Sequence, residues 1–415
     1  MTEQEIRRLT PAFAAYLKTY RDCFGQERTL GHFDTYCHGL LSDLPRKSVE
    51  PIALARGTTV RTLQVFLKEG AWDHEQARDL FQQRVVRKLS QQPPDPLGTI
   101  GIIDETSAVK KGDQTPGVQR QYLGCCGKIE NGIVTVHTAV AHGGFKALLD
   151  TELYVPESWA TDRERCQAAG IPDTMGYRPK WHIALEQLAR LQRNGFTFAW
   201  LTFDEGYGSK VPFLELLNVA KQQFVAEIPK SFAVQTSATH DTQRADEYLP
   251  STRGKKWKRV RLRRQTVADQ VWRVRSARVW TAGQWHRLVV AVNETTGEVK
   301  YFLSNAYRTS VRRLMRVAFR RWQVEHAFRV AKQEAGLMHY EGRHYLGLLR
   351  HQILVLLVLG FVAEQTERLR KKKSVGDVGA SVPSLEPPVC AGVPTATRDD
   401  ATETSERGNP IPSRT

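Results

Sequence analysis

The chain has 415 residues, with 60 Lys or Arg against 44 Asp or Glu, a formal charge of +16. Its 41% hydrophobic content is that of an ordinary globular protein with room for two or three domains. The positive excess favours a polyanionic partner, and six cysteines without a C-x-x-C pair argue against a zinc ribbon or a disulfide framework.

The N-terminus, MTEQEIRRLTPAFAAYL, lacks a signal-peptide layout. Residues 1–92 read as helical, a candidate DNA-binding region. Within it, SVEPIALARGTTVRTLQVFLKEGAW outlines two short helices around Gly57, the second starting near Thr59. A helix-turn-helix and a plain helical bundle both fit that outline. QQPPDPLG at 91–98 marks a boundary. From 97 to 224 the pattern is that of an α/β core: the apolar run TIGIIDET, the alternating IVTVHTAVAHG at 133–143, the amphipathic WHIALEQLARLQRNG at 181–195, and FTFAWLTFDEGYG at 196–208. Residues 225–305 read as antiparallel strands with a hairpin turn at NETTGE. They enclose RGKKWKRVRLRR at 253–264, eight bases in twelve residues without an acid. From 306 to 373 the pattern is helical. The longest apolar run, ILVLLVLGFVA at 353–363, is shorter than the roughly 20 residues of a spanning helix and predicts a buried core helix instead. The tail, 374–415, has the composition of a disordered segment.

Two carboxylates stand out in the core. Asp104 and Asp204 each close an apolar run, where an acid is costly without a partner. Residues at the carboxyl ends of strands face the crevice of an α/β sheet, and a divalent ion such as Mg²⁺ takes carboxylate oxygens readily. The plain alternative is an aspartate that begins a turn. Alternation points Glu105 away from Asp104. A third acid, Glu325, lies in RRWQVEHAFRVAKQEAG. At 100° per residue, Arg321, Glu325, Phe328 and Lys332 fall within about 60° of one another, beside an apolar stripe of Val324, Ala327, Ala331 and Ala335. Taken alone, Arg321 and Glu325 read as a surface i, i+4 ion pair. The stretch 306–332 nevertheless holds eight bases and one acid, which suits a metal-held carboxylate beside a phosphate backbone. Arg321 and Lys332 would then contact DNA.

Asp104, Asp204 and Glu325, with R-W-Q-V-E-H-A-F-R-V-A-K, resemble the acid triad and the R-x-x-x-E-x-x-x-x-x-x-K signature of DDE transposases of bacterial insertion sequences. GLLSDLPRKSVEPIA, AWDHEQARDLFQQRVV and KQEAGLMHYEGRHYLGLLRH are similar to the IS-701-type group. The likeness runs from about residue 15 to 365. Where that signature has a tyrosine, this chain has Ala318, followed by Phe319. The resemblance implies an RNase H-like catalytic core with Asp104 on its first strand, Asp204 after its fourth and Glu325 on a later helix. It implies a β-rich insertion at 225–305, with Lys255, Lys256, Lys258 and Arg259 on DNA, although a basic run is also common in solvated loops. It further implies Mg²⁺ or Mn²⁺ as cofactor, terminal inverted repeats and target DNA as partners, a homodimer in the synaptic complex, and a cytoplasmic protein that does not meet a membrane.

The chain lacks G-x-x-x-x-G-K-[ST], H-E-x-x-H and G-x-S-x-G. His339, Glu341 and His344 cluster without a third ligand at zinc spacing, and read as a structural or DNA-contacting loop. Two other classes stay open: a non-catalytic DNA-binding protein derived from a transposase, and a hydrolase with a carboxylate pair acting on a non-nucleic substrate.

Overall fold

The computed structural model describes residues 8–236, 242–251, 256–262 and 270–376. Lys255 and the residues after 376 lie outside the described residues.

Five α-helices open the described chain: Leu9–Lys18, Glu27–Leu41, Val49–Ala55, Val60–Lys68 and His74–Ser90. The third and fourth form the expected pair. Gly57, at φ 64°, makes the reversal that a side chain would strain. The Thr59 hydroxyl then caps the fourth helix by accepting from Thr62 N–H at 3.1 Å. Leu63, Phe66 and Leu67 form its buried face.

The sheet comprises β1 (Ile100–Val109), β2 (Gln119–Leu123), β3 (Lys128–His142), β4 (Phe145–Leu153), β5 (Trp200–Phe203) and β6 (Phe224–Ile228). After a small separate ribbon, β7 (Ala233–Val234) with β8 (Gln243–Arg244), it continues with β9 (Lys258–Leu262), β10 (Gln270–Thr281), β11 (Gln284–Asn293) and β12 (Val299–Ser304). The order is β2-β3-β1-β5-β6-β12-β11-β10-β9, with β4 also on β3. β1, β5 and β6 run parallel and the other neighbours pair antiparallel. β4-β3-β1-β5-β6 is the α/β core expected of an RNase H-like fold. Strands β9 to β12 do not leave this sheet: β12 pairs with β6, so the β-rich stretch extends it outward. The NETTGE turn joins β11 to β12 as the pattern predicts.

Helix Lys180–Arg193 covers one face through Ile183, Ala184, Gln187 and Leu191. Arg190 grips the fully buried Asp150 of β4 at 2.8 Å. Gln82 of the fifth helix donates to that carboxylate at 3.1 Å. The buried charge is thereby paired and hydrogen-bonded, as burial requires.

Three helices close the described chain: Val311–Ala318, Trp322–Gln333 and Tyr345–Gly376. The last extends the apolar run on both sides, so by length and composition it is long enough to cross a membrane. The length argument for a core helix therefore fails, yet the placement holds, because 78% of its apolar window is buried inside the protein. The N-terminal helices wrap around it. Tyr16 donates to Leu357 O at 2.8 Å, and Phe13 packs on Phe361 with centroids 4.8 Å apart. Arg350 donates to Trp72 O at 2.8 Å and to Leu67 O at 3.1 Å. His351 sits between Tyr36 OH and Gly336 O, each at 2.8 Å. Because Gly336 O only accepts, Nε2 carries the proton and Nδ1 accepts from Tyr36.

Burial lowers the His351 pKa from 6.5 to about 4, against a smaller opposing pull from Gly336 O. The unfolded chain therefore binds a proton below about pH 6.5 that the folded protein refuses until about pH 4. Stability should fall as pH drops through that window, by up to ~1.4 kcal/mol per unit from this group. Urea midpoints for wild type and His351→Gln at pH 7, 6 and 5 test this. The variant should show the shallower pH dependence, and equal slopes would exclude His351 as a source.

Candidate active site

Strands β1 and β5 run side by side through four paired positions, ending at Ile103 opposite Phe203. Asp104 and Asp204 are the next residues on each. There the strands differ. β5 stops, and Asp204 caps the turn Glu205–Gly208 by accepting from Gly206 N–H at 3.0 Å. β1 continues to Val109 along β3, with Asp104 opposite His137. The expectation that Asp104 ends its strand is thus corrected: it lies mid-strand, at the point where the parallel neighbour ceases. Both aspartates sit at the crevice left by that ending.

Asp104 is buried and accepts from Glu105 N–H at 2.8 Å. Glu105 points to the other side and pairs with Lys180 at 2.8 Å, as strand alternation requires. Opposite Asp104 comes the Trp322–Gln333 helix. Val324, Phe328 and Ala331 are buried on it, as is Ala335 just beyond its end, Phe328 packing edge-on against His137. Arg321, at the helix start, reaches Asp104 at 3.3 Å, Glu227 of β6 at 3.4 Å and Glu325 one turn on at 3.7 Å. Lys300 of β12 holds the other Glu227 oxygen at 2.6 Å. Glu325 is half-exposed at the edge of the buried face and in the first turn, where the helix dipole favours an acid.

The charges bear on one another as these distances imply. Burial, then the neighbouring Asp204 charge, push Asp104 up to about 7, while Arg321 pulls it down. Burial acts to lower the Arg321 pKa, but Asp104, Glu227, Asp204 and Glu325 together raise it. Four carboxylates thus share one guanidinium. Asp104, Asp204 and Glu325 offer hard oxygen donors of the kind Mg²⁺ and Mn²⁺ take. Among the described residues, no group of three His, Cys, Asp or Glu side chains is gathered tightly enough to hold a metal. The donor chemistry fits, and the cation these acids surround here is Arg321.

Lys332 is half-buried two turns beyond Glu325, near enough for its charge to add to the lowering of His137. Lys256, Lys258 and Arg259 lie elsewhere, at the far edge of the sheet on and beside β9, with Arg259 paired to Glu294 at 2.6 Å. Ala318 is buried, and Phe319 beside it packs on Trp272 and Phe302. His339, Glu341 and His344 are engaged separately: His339 accepts from Lys47 N–H at 3.0 Å, Glu341 pairs with Arg46, and the His344 ring lies against Gly170. Sequence reasoning missed Glu227 and Lys300. The signal was present in FVAEI, an acid inside an apolar strand.

The family model described as DDE superfamily endonuclease matches residues 19–290. The chain belongs to this family. The matched span contains Asp104 and Asp204 and stops short of Glu325. The chain is also 33% identical over 222 residues, 53% of its length, to a protein of Microchaete diplosiphon described as "Probable transposase for insertion sequence element IS701". It spans about half, 54%, of that relative's length. The DDE superfamily thus accounts for the mixed α/β sheet, and a transposase is among its relatives.

Removing Arg321 would leave Asp104 without its cation and Glu227 with Lys300 alone. Breaking a mostly buried pair costs ~3–5 kcal/mol. In Arg321→Ala, Asp104 should titrate still higher than about 7, so protonation relieves the penalty at low pH and ionisation exposes it as pH rises. Urea unfolding should show a larger deficit at pH 8.5 than at pH 6. An equal deficit at both would mean that Arg321 does not neutralise this cluster.

Proposed function

We propose that the protein is a DDE-type DNA transposase, which cleaves DNA at insertion-sequence ends and joins those ends to target DNA. The observation that carries this reading is the placement of Asp104 beside Asp204 where β5 stops, with Glu325 facing them across Arg321. A divalent ion, Mg²⁺ or Mn²⁺, held by these three carboxylates would activate the attacking water or 3′-hydroxyl and stabilise the leaving oxygen. Asp104 and Asp204 are fixed by the strands, whereas Glu325 enters from a helix. Arg321 neutralises the acids and would bind a non-bridging phosphate oxygen as the DNA arrives. Glu227 and Lys300 act as positioning residues: Glu227 takes one side of the Arg321 guanidinium and Lys300 fixes Glu227. Lys332 lies on the same helix for a second backbone contact.

Lys255, Lys256, Lys258 and Arg259 would bind phosphates, the last three of them away from the acids. The net charge of +16 supports DNA as the partner. Work on two element ends implies a homodimer in the synaptic complex, and bacterial DNA places the protein in the cytoplasm.

Asp104→Asn, Asp204→Asn and Glu325→Gln should each abolish cleavage and joining while leaving DNA affinity within a few-fold. Metal ligands act on the transferring phosphate, whereas affinity comes from many Lys and Arg contacts. The assay is incubation with DNA carrying the element's ends, with and without Mg²⁺, scored for nicked and joined strands beside a binding titration. Full cleavage by any one variant removes that residue from the mechanism. Binding without cleavage by the wild-type protein would favour a non-catalytic DNA-binding role.

A further inference from the structure

A second feature lies on the same face of the sheet. Between β9, β10 and β11 and the segment 308–312 runs an open cleft of about 850 Å³. Among the described residues its lining holds nine Lys or Arg side chains and no carboxylate. Arg278 and Arg287 are directly opposite one another on β10 and β11. Like charges in that position repel and destabilise the sheet. None of their contacts among the described residues is to an acid: Arg278 lies over the Trp285 ring at 4.3 Å, and Arg287 donates to Tyr307 O at 2.7 Å and Ser276 Oγ at 3.3 Å. Neither partner is negative. Arg308 and Arg312, both exposed, close the other wall. A wall that keeps such repulsion suits a polyanion that relieves it.

We propose that this cleft is a clamp for the backbone of duplex DNA, set some five to six base pairs from the scissile phosphate. The proposal rests on the transposase reading above and gives it a second contact. The distance follows from the topology. The register carries Ile102 through Thr202 to Val225, and Glu227, two residues on, through Phe302 to Val289, so Asp104 and Arg287, each two residues from that line, belong to one face. Four strand steps separate β1 from β11, roughly 19 Å at ~4.8 Å per step. On a duplex rising about 3.4 Å per base pair, this is about five to six pairs. The lining offers arginine and lysine without Asn or Gln, so it should position DNA rather than read its sequence.

The test uses the full chain without divalent metal and a 30-base-pair duplex carrying an element end. Arg278→Gln, Arg287→Gln, Arg308→Gln and Arg312→Gln together should flatten the slope of log K against log[salt] by roughly 3–4, since each lost phosphate contact removes about 0.9. An unrelated duplex should show the same change. Ethylation of phosphates five to six pairs from the cut should weaken binding of the wild type and not of the variant. Because Arg287 is half-buried, Arg308→Gln with Arg312→Gln serves as the variant that spares the sheet, with a change of about 2. An unchanged slope in that double variant overturns the clamp. So does wild-type binding to the single strand as tight as to the duplex. Asp104→Asn separates the two readings: it should lose cleavage and keep the full salt slope, whereas the clamp variants change the slope whether or not the protein cuts.

Discussion

The guanidinium of Arg321 is the interaction on which the centre of the molecule depends. Asp104, Asp204, Glu227 and Glu325 come from three strand ends or strands and one helix, and uncompensated they would repel one another in a poorly solvated crevice. One planar cation with several donors reaches three of them within 4 Å and feels the charge of the fourth, Asp204. The helix that carries Glu325 is fixed to the sheet through the residue immediately before it. Charge neutralisation and helix docking are therefore one event here.

The elements themselves were legible because their periodicities are clean. Helix Lys180–Arg193 and the turn at Gly57 follow from apolar spacing and a positive φ. Asp204 was legible as a strand-end acid, since β5 is short and stops where its apolar run stops. Asp104 was legible as an acid and misread as an end, because a run of apolar residues does not tell whether a strand continues through Thr106 and Ser107. Pairing with β3 carries it on, Thr106 opposite Thr135 and Ser107 opposite Val134, and that information resides 29 and 27 residues away.

Other features were beyond reach for a similar reason. Glu227 gains its meaning from Arg321 and Lys300, residues 94 and 73 positions distant, and no local pattern encodes such a meeting. The basic stretch around Lys258 showed its charge but not its wall, since Arg278 and Arg287 join it only through the β9–β10–β11 register. Likewise the apolar run at 353–363 gave burial from composition, while its full helix depended on flanking residues that pack on the N-terminal helices.

The bond from Tyr16 to Leu357 spans 341 residues. The opening helices complete their core only against the last one, so they cannot finish folding early in synthesis. At about 5–20 residues per second, a ribosome needs on the order of 20–70 seconds to supply the missing wall. During that interval Phe13, Tyr16 and Tyr36 lack the surface they will cover, and loop closure over so long a chain is slow. The nascent protein thus passes through a period of exposed apolar surface that chaperones are suited to shield.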